Sequence, residues 1–267
     1  MSKSNFRFLT DDEKERQHAM RSYHIEYGCV SSVGMIRKNN EDNFYADAHI
    51  REEIDSVDDA VVSGEVRSDD NECFAVFDGM GGEALGEVAS FVAASHTADF
   101  LKDKDQFEEY IYELSEILNQ KVAEETQARS LVLMGTTAAM VQFAQNAVYI
   151  LNAGDSRVYR LSRRELVQIS VDHTARSWGG KAITKFLGMP EEAGPLSPYL
   201  AEAKYRSGDI YLLCSDGVSD MLSDEEIEEI LKEKKPADAM CRDLVDKALE
   251  KGGVDNTTAI VCKVKLF

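Results

Sequence analysis

Residues 73–82 read Cys-Phe-Ala-Val-Phe-Asp-Gly-Met-Gly-Gly, five apolar residues that stop at an aspartate and a glycine-rich stretch. A short continuous apolar run bounded by turn residues predicts a strand that is buried on both faces. Aspartate is depleted in strands and is costly at a buried strand end unless something neutralises its charge. The stretch therefore predicts a buried strand that delivers Asp78 to a special electrostatic environment.

Two strand-like segments precede this run. Residues 25–30 alternate between apolar and polar side chains, and residues 43–46 form a second short run. Residues 47–72 are rich in Asp, Glu and Ser, and their only apolar run is the short stretch that begins at Ala60. We predict that residues 47–72 form a solvated acidic insertion or a long hairpin loop.

After the run, the periodicity changes from helical to strand-like. Apolar residues at helical spacing predict two amphipathic helices, at residues 84–101 and 107–126. Four short strand-like runs follow, at residues 137–143, 147–151, 157–161 and 166–169, and their short connections predict an antiparallel meander. The remaining elements are a strand at 210–214, a helix from the Ser223/Glu226 capping box, a helix from Pro236 to Gly252, and a strand at 257–264. This order predicts sheets packed together with helices outside.

Composition excludes several functional classes. Of the 267 residues, 43% are hydrophobic, which is enough for a sizeable core. The 49 acidic and 30 basic residues give a net charge of −19, and such a surface repels nucleic-acid phosphates and anionic lipid. The chain shows neither a run of 18 apolar residues nor a signal-peptide pattern, so we expect a cytoplasmic protein without nucleic-acid or membrane partners.

The five cysteines lack Cys-x-x-Cys spacing, which favours buried thiols in a reducing compartment. We expect a polar leader over residues 1–22 and one domain over residues 23–267.

Aspartates adjoin four of the most apolar runs. Asp78, Asp155 and Asp216 follow predicted strands, whereas Asp255 precedes one. In an antiparallel sheet the end of one strand lies beside the start of its neighbour, so these four side chains can meet at one rim. Converging carboxylates repel one another unless a cation intervenes, and all-oxygen ligation selects Mg²⁺ or Mn²⁺, with Ca²⁺ as an alternative. The histidines show no paired spacing, which disfavours zinc.

One arginine stands close to two further acids, in the stretch Arg37-Lys38-Asn39-Asn40-Glu41-Asp42-Asn43. Beside a metal cluster, the planar guanidinium of Arg37 would bind a phosphoryl group. A surface ion pair between Arg37 and Glu41 explains the same spacing equally well. The fragment alone leaves both interpretations open.

Seven ordered motifs resemble those of the type 2C metal-dependent protein phosphatases, and the Asp-Gly-Met-Gly-Gly signature resembles the bacterial branch best. The motifs are Arg37-x-x-Asn40-Glu41-Asp42-Asn43, Phe77-Asp78-Gly79-Met80-Gly81-Gly82, Gly135-Thr136-Thr137, Gly154-Asp155-Ser156-Arg157, Asp172-His173-Thr174, Ser215-Asp216-Gly217-x-x-Asp220 and Asp255-Asn256-x-Thr258. The resemblance covers residues 23–267. It implies an α+β fold, a four-layer αββα sandwich with two antiparallel sheets face to face and antiparallel helix pairs outside.

The resemblance implies a bridging and terminal ligand set for a first metal ion. Asp78 resembles the carboxylate that bridges two ions, with the Gly79 backbone carbonyl on one of them. Asp216 and Asp255 resemble the terminal ligands of the first ion.

The same resemblance implies roles for the remaining acidic residues and for the arginine. Glu41 and Asp42 resemble the acids that hold the second ion, largely through water. Asp155 and Asp220 match positions that form a weaker third site together with Asp216. Arg37 matches the phosphate-binding arginine. The Gly135-Thr136-Thr137 motif and His173 resemble structural positions.

The implied activity is hydrolysis of phosphoserine and phosphothreonine in proteins by direct attack of a metal-bridging hydroxide. The implied cofactors are two Mn²⁺ or Mg²⁺ ions and a weaker third, and the implied partners are phosphoproteins made by a serine/threonine kinase. We expect a monomer. Two alternatives stay open: a catalytically weak or inactive regulatory module of the same fold, and a phosphatase of small phosphorylated metabolites.

The chain also departs from the family pattern. Met80 stands where eukaryotic members place a histidine proposed as general acid, and Glu83 stands where many bacterial members have histidine, so leaving-group protonation has no assigned residue. The flap, at about residues 174–187, is much shorter than usual in the family, and the acidic insertion at residues 47–72 is unusual. The flap bears on substrate preference because it borders the substrate entrance in the family.

Overall fold

The computed structural model describes residues 23–52, 59–80, 85–102, 110–145, 147–177 and 180–266. The predicted leader at residues 1–22, the last two glycines of the residue 73–82 stretch, Glu83 and the predicted helix start at residue 107 lie outside the described residues.

Two antiparallel sheets form the centre of the fold. The first contains β1 (Tyr23–Ser32), β3 (Ala60–Arg67), β8 (Arg157–Ser162), β9 (Glu165–Gln168), β13 (Ile210–Cys214) and β14 (Thr257–Leu266), in the order β3-β1-β14-β13-β8-β9. The second contains β2 (Asp42–Ala46), β4 (Cys73–Met80), β6 (Ala138–Phe143), β7 (Val148–Ala153) and β12 (Tyr199–Ala203), in the order β12-β7-β6-β4-β2, and β5 (Gly135–Thr136) pairs with β4. A separate hairpin joins β10 (Thr174–Ser177) to β11 (Gly180–Ile183).

Helices cover the outer face of each sheet. The second sheet is covered by α1 (Gly86–Lys102) and α2 (Ile111–Ala128). The first is covered by α3 (Asp216–Ser219), α4 (Asp224–Leu231) and α5 (Ala237–Glu250). The predicted α+β fold, with two face-to-face antiparallel sheets and helices outside, is confirmed. None of the helices in the described ranges is long and apolar enough to span a bilayer.

Aromatic side chains fill the space between the two sheets. Phe143 lies edge-on to Phe74, Tyr205 and Tyr211, with ring centroids 6.1, 5.7 and 5.3 Å away. Edge-to-face pairs at these separations add stabilisation beyond the burial of their apolar area. This core joins the sheets rigidly and so holds their ends in a constant relative position.

Local signals in the sequence are confirmed where they concern helix ends and thiols. Ser223 caps α4, and its side chain and that of Glu226 form the reciprocal capping box. Pro236 directly precedes α5, and Gly253 ends the following turn at φ +48°. All five cysteines are free and buried.

The predicted acidic insertion is wrong in part, because it contains an edge strand. β3 pairs with β1, and its side chains alternate between half-buried and exposed. Val62 and Val66 face the core, whereas Ser63 and Glu65 face solvent. Within β3, the polar residues Ser63 and Glu65 therefore form the solvent face of a strand.

The predicted meander is also wrong, because the chain changes sheets in the middle of it. β7 lies in the second sheet and β8 in the first, and only Gly154, Asp155 and Ser156 connect them. Packed sheets are about 10 Å apart, and three extended residues span about 10 Å, so this connection can cross the core. Gly154 adopts φ +108°, a conformation that glycine accepts readily, and the crossing places Asp155 at the rim. β12 was likewise not predicted from the sequence.

Candidate functional site

Strand ends from both sheets meet at one end of the sandwich. β4 and β7 of the second sheet and β13 of the first end there, and β2 and β14 begin there. Asp42, the first residue of β2, lies directly opposite Asp78 on β4. The rim thus collects acidic residues that are distant in sequence, as the strand-end argument predicts.

Asp78 lies at the centre of this acidic cluster. Burial raises the pKa of its carboxyl well above the usual range, and the charges of Asp42, Asp216, Asp155 and Asp255 raise it further. All four neighbours therefore act on Asp78 at short range. Uncompensated carboxylates in this arrangement favour either a proton or a metal cation.

Asp42 links the two sheets through its carboxylate. Its Oδ2 accepts hydrogen bonds from Ser215 Oγ and Thr258 Oγ1, each at 2.7 Å, and both residues belong to the first-sheet side of the rim. Its Oδ1 is buried without a hydrogen-bond partner among the described residues. Burial raises the pKa of Asp42 to about 6 although the two hydroxyls lower it. A buried anionic oxygen without a donor suits a cation or its hydration water.

A buried arginine that the sequence analysis did not identify supports the Asp42 segment. Arg51 is only 6% exposed, and its Nη1 donates to the backbone carbonyls of Asn40 at 3.1 Å and Asp42 at 2.8 Å. Asn43 holds Arg51 in turn, since its Oδ1 accepts from the Arg51 backbone N–H at 3.0 Å and its Nδ2 donates to the Arg51 carbonyl at 3.1 Å. The guanidinium charge lowers the pKa of Asp42, which partly offsets burial.

Asp216 is the first residue of the short helix α3. Burial, together with the charges of Asp155, Asp255 and Asp220, raises the pKa of Asp216 to about 7. Asp220 closes the same turn, with its backbone N–H donating to the Asp216 carbonyl at 2.7 Å. The Asp220 side chain is exposed, so it lies at the outer edge of the cluster.

Backbone and hydroxyl hydrogen bonds fix Asp78 and Gly79. The Asp78 backbone N–H donates to Thr137 Oγ1 at 3.0 Å, and the Thr137 N–H donates to the Asp78 carbonyl at 2.8 Å. Ser156 Oγ lies 2.7 Å from the same Thr137 hydroxyl. The Gly79 N–H donates to the carbonyl of Glu41 at 3.0 Å. These contacts give Thr137 the role of positioning Asp78. Ser156 belongs to one of the sequence motifs but was assigned no role there, and it supports the Thr137 hydroxyl.

Glycine permits the tight packing around Glu41. A Cβ on Gly79 would lie 2.2 Å from the Gly86 carbonyl oxygen and 2.5 Å from that of Glu41, so only glycine fits. The Glu41 N–H donates to Asn256 Oδ1 at 2.8 Å, which ties this segment to the start of β14. Burial raises the pKa of the Glu41 carboxyl.

Arg37 pairs with Asp255 and not with the Glu41 of the alternative interpretation. Arg37 Nη2 lies 2.7 Å from Asp255 Oδ2, and the two side chains are 46% and 32% exposed. The other carboxylate oxygen of Asp255 accepts the Asn256 backbone N–H at 2.8 Å. The guanidinium therefore lies at the open edge of the acidic cluster, where a phosphoryl group can reach it.

His173 and the β10–β11 hairpin are anchored beside Asp155. The His173 backbone N–H donates to the Gly154 carbonyl at 2.8 Å, and its ring Nδ1 accepts the Gly154 N–H at 3.4 Å. Burial lowers the pKa of His173, which favours the neutral ring that this second contact requires. The Thr184 N–H donates to the His173 carbonyl at 2.8 Å, so both ends of the hairpin meet at His173.

The acidic cluster is open in the observed arrangement. Within the described ranges, no three acidic, histidine or cysteine side chains converge closely enough to hold an ion. Arg37 Nη2 donates to one oxygen of Asp255 at 2.7 Å. The oxygen-only donor set and the buried Asp42 Oδ1 fit a hard divalent cation.

The cysteines are unsuited to nucleophilic chemistry. All five are buried, and burial raises the pKa of each thiol. A catalytic thiolate needs an exposed, electropositive environment, whereas Cys214 adjoins the acidic rim.

Comparisons with known proteins show the family of the chain. The family model for Protein phosphatase 2C matches residues 47–252. The serine/threonine protein phosphatase PstP of Mycobacterium tuberculosis is 33% identical over 259 residues, which cover 90% of this chain and 45% of PstP. The serine/threonine phosphatase stp of Listeria monocytogenes is 28% identical over 249 residues, which cover 85% of this chain and 91% of that protein.

The fold matches that of a solved relative. The crystal structure of the PstP catalytic domain in complex with two manganese ions has a TM-score of 0.73 and 30% sequence identity, and the match covers 91% of this chain and 99% of that domain. The chain spans about half the length of the full PstP protein. Because the family model matches most of the chain and the relatives share its fold, the chain belongs to the protein phosphatase 2C family.

Proposed function

We propose that the chain is a metal-dependent phosphatase that hydrolyses phosphoserine and phosphothreonine in proteins. The observation that carries the proposal is the buried acidic cluster around Asp78, with the guanidinium of Arg37 at its open edge. The family membership supports it, as does the presence of manganese in the PstP catalytic domain.

The acidic residues of the cluster would form two main binding sites for divalent ions, Mn²⁺ or Mg²⁺. Asp78 with the Gly79 carbonyl, Asp216 and Asp255 would hold the first ion. Glu41 and Asp42 would hold the second, which Asp78 shares. When bound, such ions lower the pKa of water and withdraw charge from a phosphoryl group.

A weaker third site would lie at the outer edge of the cluster. Asp155 and Asp220 would form it together with Asp216. The exposure of Asp220 and its place one turn after Asp216 support a site that exchanges readily with solvent.

Arg37 would bind and orient the phosphoryl group of the substrate. Its planar guanidinium can donate two parallel hydrogen bonds to phosphate oxygens. Before a substrate binds, the Asp255 carboxylate holds the Arg37 guanidinium at the edge of the acidic cluster. Both side chains are partly exposed, so a phosphate can displace this contact. The charge of Arg37 then stabilises the equatorial oxygens as the ester bond breaks.

Other side chains keep the acidic cluster in place. Ser215 and Thr258 fix one oxygen of Asp42, and the second oxygen is buried without a donor among the described residues. Thr137 fixes the backbone of Asp78. These contacts orient Asp42 and Asp78 before a substrate binds.

Three finer features form part of the proposal. The phosphoproteins would be products of a serine/threonine kinase, since only such an enzyme supplies the ester that this site hydrolyses. Free buried thiols support a reducing, cytoplasmic compartment. The net charge of −19 supports a monomer, because like-charged copies repel one another.

The test is hydrolysis of p-nitrophenyl phosphate and of phosphothreonine peptides by the purified chain with Mn²⁺. We expect activity that EDTA abolishes and that Asp78→Asn removes. Asp243→Asn, which changes a carboxylate bound to Lys235 on the far helix α5, should keep the activity. Weakened Mn²⁺ binding by Asp78→Asn, measured calorimetrically, would show that the loss arises from the metal site.

The open alternatives give different results in the same assay. An inactive regulatory module binds Mn²⁺ without hydrolysing either substrate. A phosphatase of small metabolites hydrolyses sugar phosphates faster than phosphopeptides. Either result would overturn the proposal.

A further inference from the structure

Three exposed apolar residues lie next to Arg37 and Asp255 in the chain. Met35, Ile36 and Val254 are 68%, 67% and 52% exposed, and they adjoin Arg37 and Asp255 in the chain. Single exposed apolar residues are common on protein surfaces, but several together beside a binding group mark an interaction site. We call these three residues the apolar ledge.

The ledge is rigid because its two loops are bound together. The Met35 N–H donates to the Gly253 carbonyl at 2.8 Å. Asn256 Nδ2 donates to the carbonyls of Val33 at 3.0 Å and Asn39 at 2.8 Å, on either side of the Met35 loop. A surface held in this way loses little conformational entropy when another chain packs on it.

Glycines bring the two loops into direct contact. A Cβ on Gly34 would lie 2.2 Å from the Asp255 carbonyl oxygen, and a Cβ on Gly253 would lie 2.9 Å from Met35 Cγ. The Met35 side chain therefore packs over Gly253, next to Val254. The Met35 loop and the Gly253–Asp255 loop thus lie side by side.

The charges near the ledge indicate what it can bind. Asp255, Glu41 and Asp78 all act on the Arg37 guanidinium, so the surroundings are negative apart from Arg37 and the neighbouring Lys38. An acidic residue next to a bound phosphoryl group would lose hydration against the apolar side chains of the ledge, whereas an apolar residue would not. Apolar side chains also gain by covering Met35 and Ile36.

We propose that the ledge binds an apolar side chain next to the phosphorylated residue of a protein substrate. The inference rests on the proposed function and adds a sequence preference to it. Ile36 adjoins Arg37 and Val254 adjoins Asp255 in the chain, so a phosphoryl group on Arg37 brings its flanking residues close to the ledge. The ledge thereby favours apolar over polar or acidic flanking residues.

The experiment uses the full chain with Mn²⁺ and phosphothreonine peptides that differ only at the two positions on each side of the phosphothreonine. These positions carry Leu, Ser or Glu. We expect kcat/KM for the Leu peptides to exceed kcat/KM for the Ser peptides about fivefold, mainly through a lower KM. This ratio is smaller than that of an enclosed apolar pocket because the ledge is open to solvent. The Glu peptides should be the poorest.

Variants test whether the ledge causes the preference. The double variant Met35→Ser/Ile36→Ser should bring the Leu-to-Ser ratio close to one. The matched control is Val167→Ser on β9, which removes an apolar side chain of 49% exposure far along the first sheet and should keep the ratio. A preference absent from the wild type, or retained by the double variant, would overturn the inference.

Other outcomes remain informative. Hydrolysis of p-nitrophenyl phosphate without any peptide preference would overturn the ledge alone. Absence of hydrolysis of every substrate would overturn the proposed function, and the ledge with it. If sedimentation shows a dimer that the double variant dissociates, the ledge binds a second copy of the chain and the peptide proposal is wrong.

Discussion

Replacing Asp42 by Asn should stabilise the metal-free protein at neutral pH. The pKa of Asp42 is raised from 3.8 to about 6 by burial, so the folded state holds the proton more tightly than the unfolded chain. Below pH 3.8 both states are protonated and folding carries no penalty. As the pH rises through the window from 3.8 to about 6 the penalty grows, and above pH 6 it is complete.

The size of this penalty follows from the shift in pKa. About two pKa units at about 1.4 kcal/mol each amount to ~3 kcal/mol at pH 8. At pH 5 the Asp42 carboxyl is mostly ionised in the unfolded chain and mostly protonated in the folded state. The free-energy penalty at pH 5 is therefore about half of the penalty at pH 8. The asparagine amide oxygen can still accept the hydroxyls of Ser215 and Thr258, and position 42 lies opposite Asp78 in the strand pair.

Urea unfolding in EDTA at pH 5 and pH 8 measures the effect. We expect Asp42→Asn to exceed the wild type by ~3 kcal/mol at pH 8 and by less at pH 5. Added Mn²⁺ should stabilise the wild type strongly and the variant weakly, since binding to the folded state adds to its stability. Asp243→Asn is the control and should stay within about 0.5 kcal/mol of the wild type. A variant no more stable than the wild type at pH 8 would refute the reasoning.

Three further predictions concern the phosphate group, the backbone and the thiols. Arg37→Ala should lower kcat/KM for p-nitrophenyl phosphate ~100-fold, because a charged donor to the phosphoryl oxygens is lost. Its unfolding midpoint should match that of the wild type, and Arg67→Ala, which breaks an ion pair of similar exposure, should retain activity. Gly217→Ala should destabilise the fold by about 1–3 kcal/mol in urea unfolding, because the new Cβ would lie 2.0 Å from the Asn256 carbonyl oxygen. Iodoacetamide should leave the native protein unlabelled and modify all five cysteines after unfolding, whereas labelling of a native thiol would contradict the burial.

Sequence reasoning succeeded where the deciding information is local. An apolar run that ends in aspartate predicts a buried strand end, and β4, β7 and β13 each place an acid at the same rim. The sequence-based predictions were wrong where contacts between distant parts of the chain decide the structure. The sheet to which β8 belongs depends on whether three residues turn back or cross the core, and both are compatible with the same short connection. Likewise, β3 is a strand only because β1 offers it an edge.

The supports of the acidic cluster could not be predicted for the same reason. Ser215 and Thr258 are 173 and 216 residues from Asp42 in the sequence, and nothing near either hydroxyl indicates its carboxylate partner. Arg51 lies within a polar segment, where an arginine is normally solvated. Its burial follows only from the fold that brings Asn43 and the Asp42 carbonyl together around it.

These supports share one physical role. An acid that must receive a cation needs at least one oxygen without a protein donor, yet the group must still be held in place inside a low-dielectric rim. In Asp42 the two requirements are met by different atoms, because hydroxyls from the opposite sheet fix Oδ2 while Oδ1 remains without a donor among the described residues. Arg51 contacts the backbone carbonyl and not the carboxylate, so it moderates the charge of Asp42 without occupying the oxygen that a cation would use. The arrangement keeps the site anionic and ordered, and the resulting loss of stability at neutral pH is what a bound cation would reverse.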